Sequence, residues 1–423
     1  MFFLVGVLLL FIALGFPVAF SMGLTSFFYI LKEGLVVITI PQRMIAGIDN
    51  FTFLAVPFFI LAGNLMNTGG ITRRLFRFAT SIVGFIPGGL GHANVVGSII
   101  FAGMSGAAIA DAGGLGTIEI KAMKDAGYDT EFSAAITAAS STIGPIIPPS
   151  IPMIIYAAFG GVSVGKLFLA GAVPGFLMGI SLMVMIYIVS IRRKYPVHAK
   201  LDLNEIWVSF KQGLPPLFTP IIILGGIMLG IFTPTEAAVV ASAYALFLGV
   251  VVYREIKLAD LSRIFLQTAL TTTIVIFIVS TASVYGWLLA REQVPQNVAH
   301  LLFSITTNPH LILLILVGFL LIVGCFMETT ASLIILVPIL VPMVTQLGID
   351  PVAFGLVMVL TLMLGLITPP VGVVLYLIAD IADISFENLV AATFPFLLPL
   401  LIVLLLITFV PQIAMFLPNL LMP

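Results

Sequence analysis

Apolar stretches long enough to cross a bilayer recur along nearly the whole of this chain. They fall at 2–31, 51–66, 79–118, 132–158, 167–191, 214–232, 237–253, 264–289, 301–340, 352–378 and 389–410, and a spanning helix needs about 20 mostly apolar residues. Pro17 is placed to divide the first stretch, and 35–48 is too short and too polar to assign. Only 8% of the 423 residues are charged and 61% are hydrophobic, against about 25% charged in a soluble domain. No water-soluble core hides that much apolar surface, so the chain reads as an all-α, polytopic membrane protein of roughly 10–12 spanning helices. A net charge of −1 with no basic, aromatic-interleaved patch argues against nucleic acid as a partner. A single cysteine, Cys325, excludes a disulfide framework. No GxxxxGK[ST] supports ATP hydrolysis. The N-terminal stretch lacks a basic start and a small-residue cleavage site, and reads as a retained membrane segment.

The cations orient these segments. Most of the 17 Lys and Arg fall in four clusters: Arg73, Arg74 and Arg77; Lys121 and Lys124; Arg192, Arg193, Lys194, Lys200 and Lys211; Arg254, Lys257 and Arg263. The positive-inside rule places all four in the cytoplasm. Two crossings then join Lys124 to Arg192, and two more join Lys211 to Arg254. Between Arg77 and Lys121 the chain must leave and return within 79–118. That stretch contains GMSGAAIADAGG (103–114), whose glycines, Ser105 and Asp111 suit a reversal rather than a lipid-facing helix. It predicts a re-entrant hairpin. Residues 200–211, with Trp207, read as a surface helix on the cytoplasmic leaflet.

The chain also echoes itself at a shift of 221 residues. Gly97 falls on Gly318, Gly103 on Gly324 and Gly127-Tyr-Asp129 on Gly348-Ile-Asp350. Gly144-x-x-x-Pro148-Pro149 falls on Gly365-x-x-x-Pro369-Pro370, and Pro174 on Pro395. Further out the shift drifts, with Pro17 near Pro234. Five crossings and one hairpin separate Lys124 from the matching loop, so the second copy is inverted. A second hairpin around 324–338 then enters from the opposite face. Inverted repeats whose broken helices meet at mid-membrane are the build of secondary transporters.

Irregular backbone at membrane depth is tolerated only where protein buries it or a wet cavity needs it. In SSTIGPIIPPSIP (140–152), Pro145, Pro148, Pro149 and Pro152 remove four amide donors and break the helix. The freed carbonyls, with hydroxyls of Ser105, Ser141 and Thr142, are hard oxygen ligands suited to Na⁺. In the second half the carbonyls near Gly365 and Thr368 face Thr329 and Thr330 in the same way. Helix N-termini beyond each break suit a carboxylate. Asp111 and Glu328 lie at the hairpins and are candidates for lining the cavity or supporting an ion site, against a structural hydrogen bond; Glu236 reads as a helix cap. Two other functions have some footing in the sequence. Gly103-x-Ser105-Gly106 matches the nucleophile signature of an intramembrane serine protease, but His92, His198, His300 and His310 include none deep in a downstream apolar run to activate the serine. An ion channel would leave the paired hairpins around an occluded site unexplained.

The long stretch 103–157, from GMSGAAIADAGG through SSTIGPIIPPSIPMIIYA, closely resembles the DctM-like large membrane subunit of tripartite ATP-independent periplasmic (TRAP) transporters. GLITPPVGVVLY (365–376) is similar to the second-half motif of that family. The resemblance covers essentially the whole chain. It implies an inverted-repeat elevator transporter of the ion-transporter type, multi-pass in a bacterial inner membrane, and not an enzyme. It implies Na⁺-coupled uptake of an organic acid, a carboxylate such as a sialic acid or a C4-dicarboxylate. Its implied partners are a periplasmic substrate-binding protein and a small four-helix membrane subunit, here a separate chain. The implied organisation is scaffold at 1–78, transport domain with hairpin 1 at 79–191, surface helix and scaffold at 192–299, and transport domain with hairpin 2 at 300–423. Carried over by position, one Na⁺ site involves Ser105, Gly144, Ile147 and Pro149. The other involves Gly324, Thr329, Gly365 and Thr368. The substrate is expected near Ser105, Asp111, Ser163 and Thr330.

Overall fold

The computed structural model describes residues 2–195, 197 and 202–422, apart from the side chains of Phe2 and Ser105. Every regular element among the described residues is a helix. The first half comprises α1 (Phe2–Ala13), α2 (Val18–Lys32), α3 (Thr39–Ile48), a 3₁₀ turn leading into α4 (Ala55–Thr68), α5 (Ile71–Val83), α6 (Gly89–Ser105), α7 (Ala108–Asp125), α8 (Thr130–Ser141), α9 (Ile151–Gly160) and α10 (Val164–Arg193). The second comprises α11 (Leu203–Met228), α12 (Pro234–Phe247) with a π-helical last turn, α13 (Leu258–Arg291), α14 (Val294–Ile305), α15 (Pro309–Phe326), α16 (Thr329–Gln346), α17 (Pro351–Gly365), α18 (Val373–Ala382), α19 (Phe386–Phe409) and α20 (Gln412–Leu421). Among the described residues, 7 helices are long and apolar enough to cross a membrane, and shorter apolar helices complete the rest.

The repeat in the sequence is a repeat of elements. The hairpin α6–α7 matches α15–α16, and the interrupted pair α8–α9 matches α17–α18. The hairpin helix α7 opens at 108 and α16 at 329, 221 positions on, and each has 18 residues. The first broken helices open at 130 and 351, the same distance apart.

Contacts along the first interrupted helix fix the relative orientation of the halves. The N-terminus of α8 lies by Asp129, whose carboxylate receives a bond from Arg193 (2.7 Å), beside the base of hairpin 1. From there α8 rises 12 residues, about 18 Å, to the break, and α9 continues another 10, about 15 Å. Its Tyr156 hydroxyl donates to Pro351 O (2.6 Å), beside the loop that closes the base of hairpin 2. In the other half, α18 leads from the break back to hairpin 1, where Lys124 Nζ reaches Ala382 O (3.5 Å). The two bases therefore lie at opposite ends of a path about one hydrocarbon thickness long. Hairpin 1 and hairpin 2 enter from opposite faces.

Side-chain hydrogen bonds between distant elements fall into two sets. One ties α3, α4 and α5 to α11 and α13, through Asn64–Thr268, Arg77–Glu205, Ser81–Ser209 and Ser280–Met44, with Tyr244–Pro215 joining α12 to α11. The other ties the hairpins and broken helices together, through Asn94–Thr137, Ser140–Asn94, Tyr156–Pro351 and Lys124–Ala382. None of these joins one set to the other; the two sets meet through apolar side chains together with the Asn67 amide of α4, which packs against Gly114 of α7.

Three elements differ from the sequence reading. Hairpin 1 opens at Gly89, because 71–83 forms the separate helix α5, which buries Leu75, Phe76 and Phe78 while Arg73 and Arg77 stay exposed. Residues 78–79 thus lie inside α5, and 299–300 inside α14. Lys200 and His198 lie outside the described residues, and the surface helix expected at 200–211 is the start of α11, which runs on to Met228. Pro215, Pro216 and Pro220 are held within it; the Gln212 carbonyl, which Pro216 leaves without its helical amide, accepts instead from Tyr253 Oη (2.8 Å). Pro17 does divide the first stretch, as the residue preceding α2.

Candidate functional site

Each hairpin tip is bonded to the break of its own half. At tip 1, Gly106 has φ +64° and its Cα lies against Pro149 O, so a Cβ there would be both strained and crowded. Ile151 N, just past the break, donates to Gly106 O (3.2 Å). At tip 2 the equivalent amide, Gly372 N, donates to Cys325 O (3.2 Å). Gly324 and Gly365 meet backbone to backbone, an approach that no side chain allows.

The two tips, both breaks and the α4–α13 wall enclose a cavity of about 530 Å³. Hairpin 1 contributes Ala107–Ala110 and its break contributes Pro145, Ile151 and Pro152. Hairpin 2 contributes Glu328, Thr330 and Ala331, and its break Met363 and Leu366. The facing wall is Ile60, Gly63 and Asn64 of α4 with Thr271 to Ile278 of α13. No Lys or Arg is among these lining residues, so an anion entering here meets helix ends rather than cationic side chains.

Those helix ends are not alike. The tip-2 helix α16 is capped by Glu328, whose carboxylate accepts from Ala331 N (3.2 Å). The repeat-related residue before α7 is Ala107, in the extended conformation of an N-cap but with no side chain to accept a bond. Ala107 thus places no cap on the opening amides of α7, which face the cavity at the positive end of an 18-residue helix.

The remaining predicted residues are placed as follows. Ser105 closes α6, but its side chain lies outside the described residues. Asp111 is buried in the first turn of α7, and its carboxylate lies over the bare Cα of Gly144 in the break. Among the described residues, the carbonyls of Gly144, Ile147 and Pro149 accept no backbone hydrogen bond. The Thr329 hydroxyl is fully buried at 0% exposure and has no hydrogen-bond partner. Thr368 donates to Leu364 O (2.7 Å), and the Gly365 carbonyl accepts from Thr368 N (3.0 Å). Thr330 lines the cavity. Ser163 does not: α9 carries the chain away from the break, and Ser163 caps α10 at an exposed position, accepting from Lys166 N (3.3 Å). Glu236 caps α12 in a reciprocal box with Thr233. The sequence reading missed Asn64 and Thr271 on the facing wall; an amide inside the apolar stretch 51–66 was the available signal.

Two inverted halves whose broken helices and hairpin tips surround one central cavity define a multi-pass membrane carrier. The family model "Tripartite ATP-independent periplasmic transporter, DctM component" matches residues 5–413, and the chain belongs to that family. It is 48% identical, over 96% of its own length and 95% of the relative's, to the sialic acid TRAP transporter large permease protein SiaM of Vibrio cholerae. It is 42% identical, over 99% of its length and 68% of the relative's, to the sialic acid TRAP transporter permease protein SiaT of Haemophilus influenzae. Its fold is similar to that of the YdaH transporter of Alcanivorax borkumensis, with a TM-score of 0.63 at 15% identity, covering 88% of this chain and 87% of that one.

Proposed function

We propose that this chain is the Na⁺-coupled permease for uptake of an organic acid across a bacterial inner membrane. The substrate class is a carboxylate such as a sialic acid, in keeping with the names of the two relatives, or a C4-dicarboxylate. The observation that carries this reading is the contrast between the two tips: Glu328 fills the anion position on α16, and Ala107 leaves the matching position on α7 open to the cavity. A substrate carboxylate completes on α7 what Glu328 completes on α16, accepting from the first-turn amides. Thr330, Asn64 and Thr271 offer the neutral donors and acceptors for the rest of the molecule.

Na⁺ is the co-transported ion in this reading. The carbonyls of Gly144, Ile147 and Pro149 and the orphan hydroxyl of Thr329 are the donor type a hard monovalent cation takes. One ion binds at break 1, with Asp111 supplying negative charge nearby, and a second between tip 2 and Gly365–Thr368. The two hydrogen-bonded sets of helices act as an elevator: the hairpins, broken helices and their cavity move as one body against the α4–α13 wall. Their separate side-chain bonding supports that division.

In this reading a periplasmic binding protein delivers the substrate and a small membrane subunit completes the scaffold. The test is uptake of labelled N-acetylneuraminate and succinate into proteoliposomes holding both membrane subunits, with the binding protein outside. Accumulation of one of them driven by an inward Na⁺ gradient is the expected result. Uptake indifferent to Na⁺ refutes the coupling, and full-rate uptake without the binding protein refutes the tripartite arrangement.

A further inference from the structure

One ionisable group in hairpin 1 takes no part in the site described above. Glu119 lies in the middle of α7, two turns beyond Asp111 on the same face, with 0% of its surface exposed. Among the described residues, neither carboxyl oxygen has a hydrogen-bond partner. Room for it comes from Gly97 on α6: a Cβ there would stand 3.1 Å from Glu119 Oε1, with Phe76 of α5 at 3.8 Å on the other side. The second half shows what this position needs in order to fold. The repeat-related residue of α16 is Leu340, 2% exposed, and the glycine opposite, Gly318, has open space where Gly97 is crowded. The hairpin architecture is thus satisfied by an aliphatic side chain, and the first half carries a buried carboxyl without a structural requirement for one.

We propose that Glu119 is a proton-binding site of hairpin 1: its carboxylate takes a proton from water at the hairpin base, forming an Oε–H bond, before α7 seats against α6 as seen here, and returns that proton to water when the hairpin loosens. A carboxylate with no donor to either oxygen is far costlier to bury than the neutral acid. Seating the hairpin and binding the proton are therefore one equilibrium, and acidification favours the seated form. On the elements packed around α7, the other titratable groups are His92 on α6, Arg73, Arg74 and Arg77 on α5, Glu131 on α8 and Asp380 on α18. Of these only His92 is buried; Arg74 is paired with Glu255 and Arg77 with Glu205.

The proposal does not depend on which acid is carried, and its test reads the proton site directly. The intact complex in liposomes, without substrate or Na⁺, is treated with dicyclohexylcarbodiimide, which modifies protonated carboxyls in apolar surroundings, and Glu119 is followed by peptide mass spectrometry. Labelling is expected near pH 6, falling about tenfold per pH unit above the transition, and absent from E119Q. In parallel, uptake of labelled N-acetylneuraminate or succinate is measured against pH, equal on both sides, at a fixed Na⁺ gradient. The alkaline decline of the native complex is expected to flatten in E119Q and E119L. An unlabelled Glu119 at acidic pH, or active variants that keep the native pH profile, overturns the proposal. If both variants are inactive, labelling of the native chain decides it alone.

Discussion

Replacing Ala107 with Asp tests the anion position at its centre. Ala107 has φ −143° and ψ 124°, the backbone of an N-cap, and is half-buried on the cavity wall. An Asp there is placed to accept from the first-turn amides of α7, as Glu328 does on α16. A cap of this kind contributes about 1 kcal/mol over alanine, with up to about 1 kcal/mol more from a carboxylate at the helix N-terminus, so A107D is expected to melt at higher temperature than the native chain. The same carboxylate occupies the substrate's place. A second carboxylate about 4 Å away is repelled by about 4 kcal/mol at the effective dielectric of a partly wet protein site, which is roughly a thousandfold in affinity. The measurements are thermal melting of the purified chain and uptake against substrate concentration in proteoliposomes. A107S, with a neutral cap of similar size, is the control and is expected to keep measurable uptake. An A107D complex that is folded and transports with the native KM would show that the acid does not bind at α7.

Three further outcomes follow from the same geometry. Thr329→Val removes a buried hydroxyl that has no protein partner; stability should hold or rise, since such an orphan costs about 1–3 kcal/mol, while the Na⁺ concentration for half-maximal uptake should rise at least tenfold, and an unchanged Na⁺ dependence removes Thr329 from the ion site. Gly365→Ala sets a Cβ against the backbone of Gly324, so tip 2 must separate from its break; a loss of about 2 kcal/mol or more, typical of overpacking, is expected in thermal melting, and a native-like melt with native uptake would contradict the close approach. The Tyr195 phenol, just beyond α10, is pushed up from its ordinary value to about 12, first by burial and then by the hydrogen bond it donates to Asp129. The neutral form is thus the one the folded chain favours, so its stabilisation is complete below about pH 10 and is lost as the pH rises towards 12; melting temperature measured across that window should fall in the native chain and show no such step in Y195F.

The features legible in the sequence are those set by backbone chemistry. Pro145, Pro148 and Pro149 and their partners Pro369 and Pro370 mark both breaks, since proline supplies no amide wherever it stands. Gly106 marks the first tip because few other residues take its φ of +64°. The repeat itself follows from such residues recurring at one interval. What the sequence hid depends on distant neighbours. The last turn of α5 (79–83) has no charged residue to set it apart from the hairpin, so it merged with it until the packing of α5 on α6 and α11 was known. The surface helix 200–211 and the stretch 214–232 read as separate elements, because the donor to the freed Gln212 carbonyl comes from Tyr253, 41 residues on. The resemblance placed Ser163 near the substrate, but α9 carries it away from the cavity. Asn64 joins the site only because α4 and α13 lie across from the hairpin tips.

The two halves share one backbone plan and differ at the few positions where the chemistry is unequal. Where hairpin 2 carries Glu328, hairpin 1 has Ala107; where hairpin 1 carries Asp111 and Glu119, hairpin 2 has Ser332 and Leu340. Packing does not impose these differences, because each environment accommodates the neutral residue in the opposite half. Charge is instead distributed so that one tip is filled by its own carboxylate while the other stays open, and so that the buried acids of α7 belong to the half whose tip is open. A symmetric carrier would offer an anion two equivalent helix ends and hold it at neither in particular. In the proposed function, filling one of them from within leaves a single position for the acid at α7, close to the break where Asp111 lies over Gly144, and so places ion and acid in the same half of the molecule.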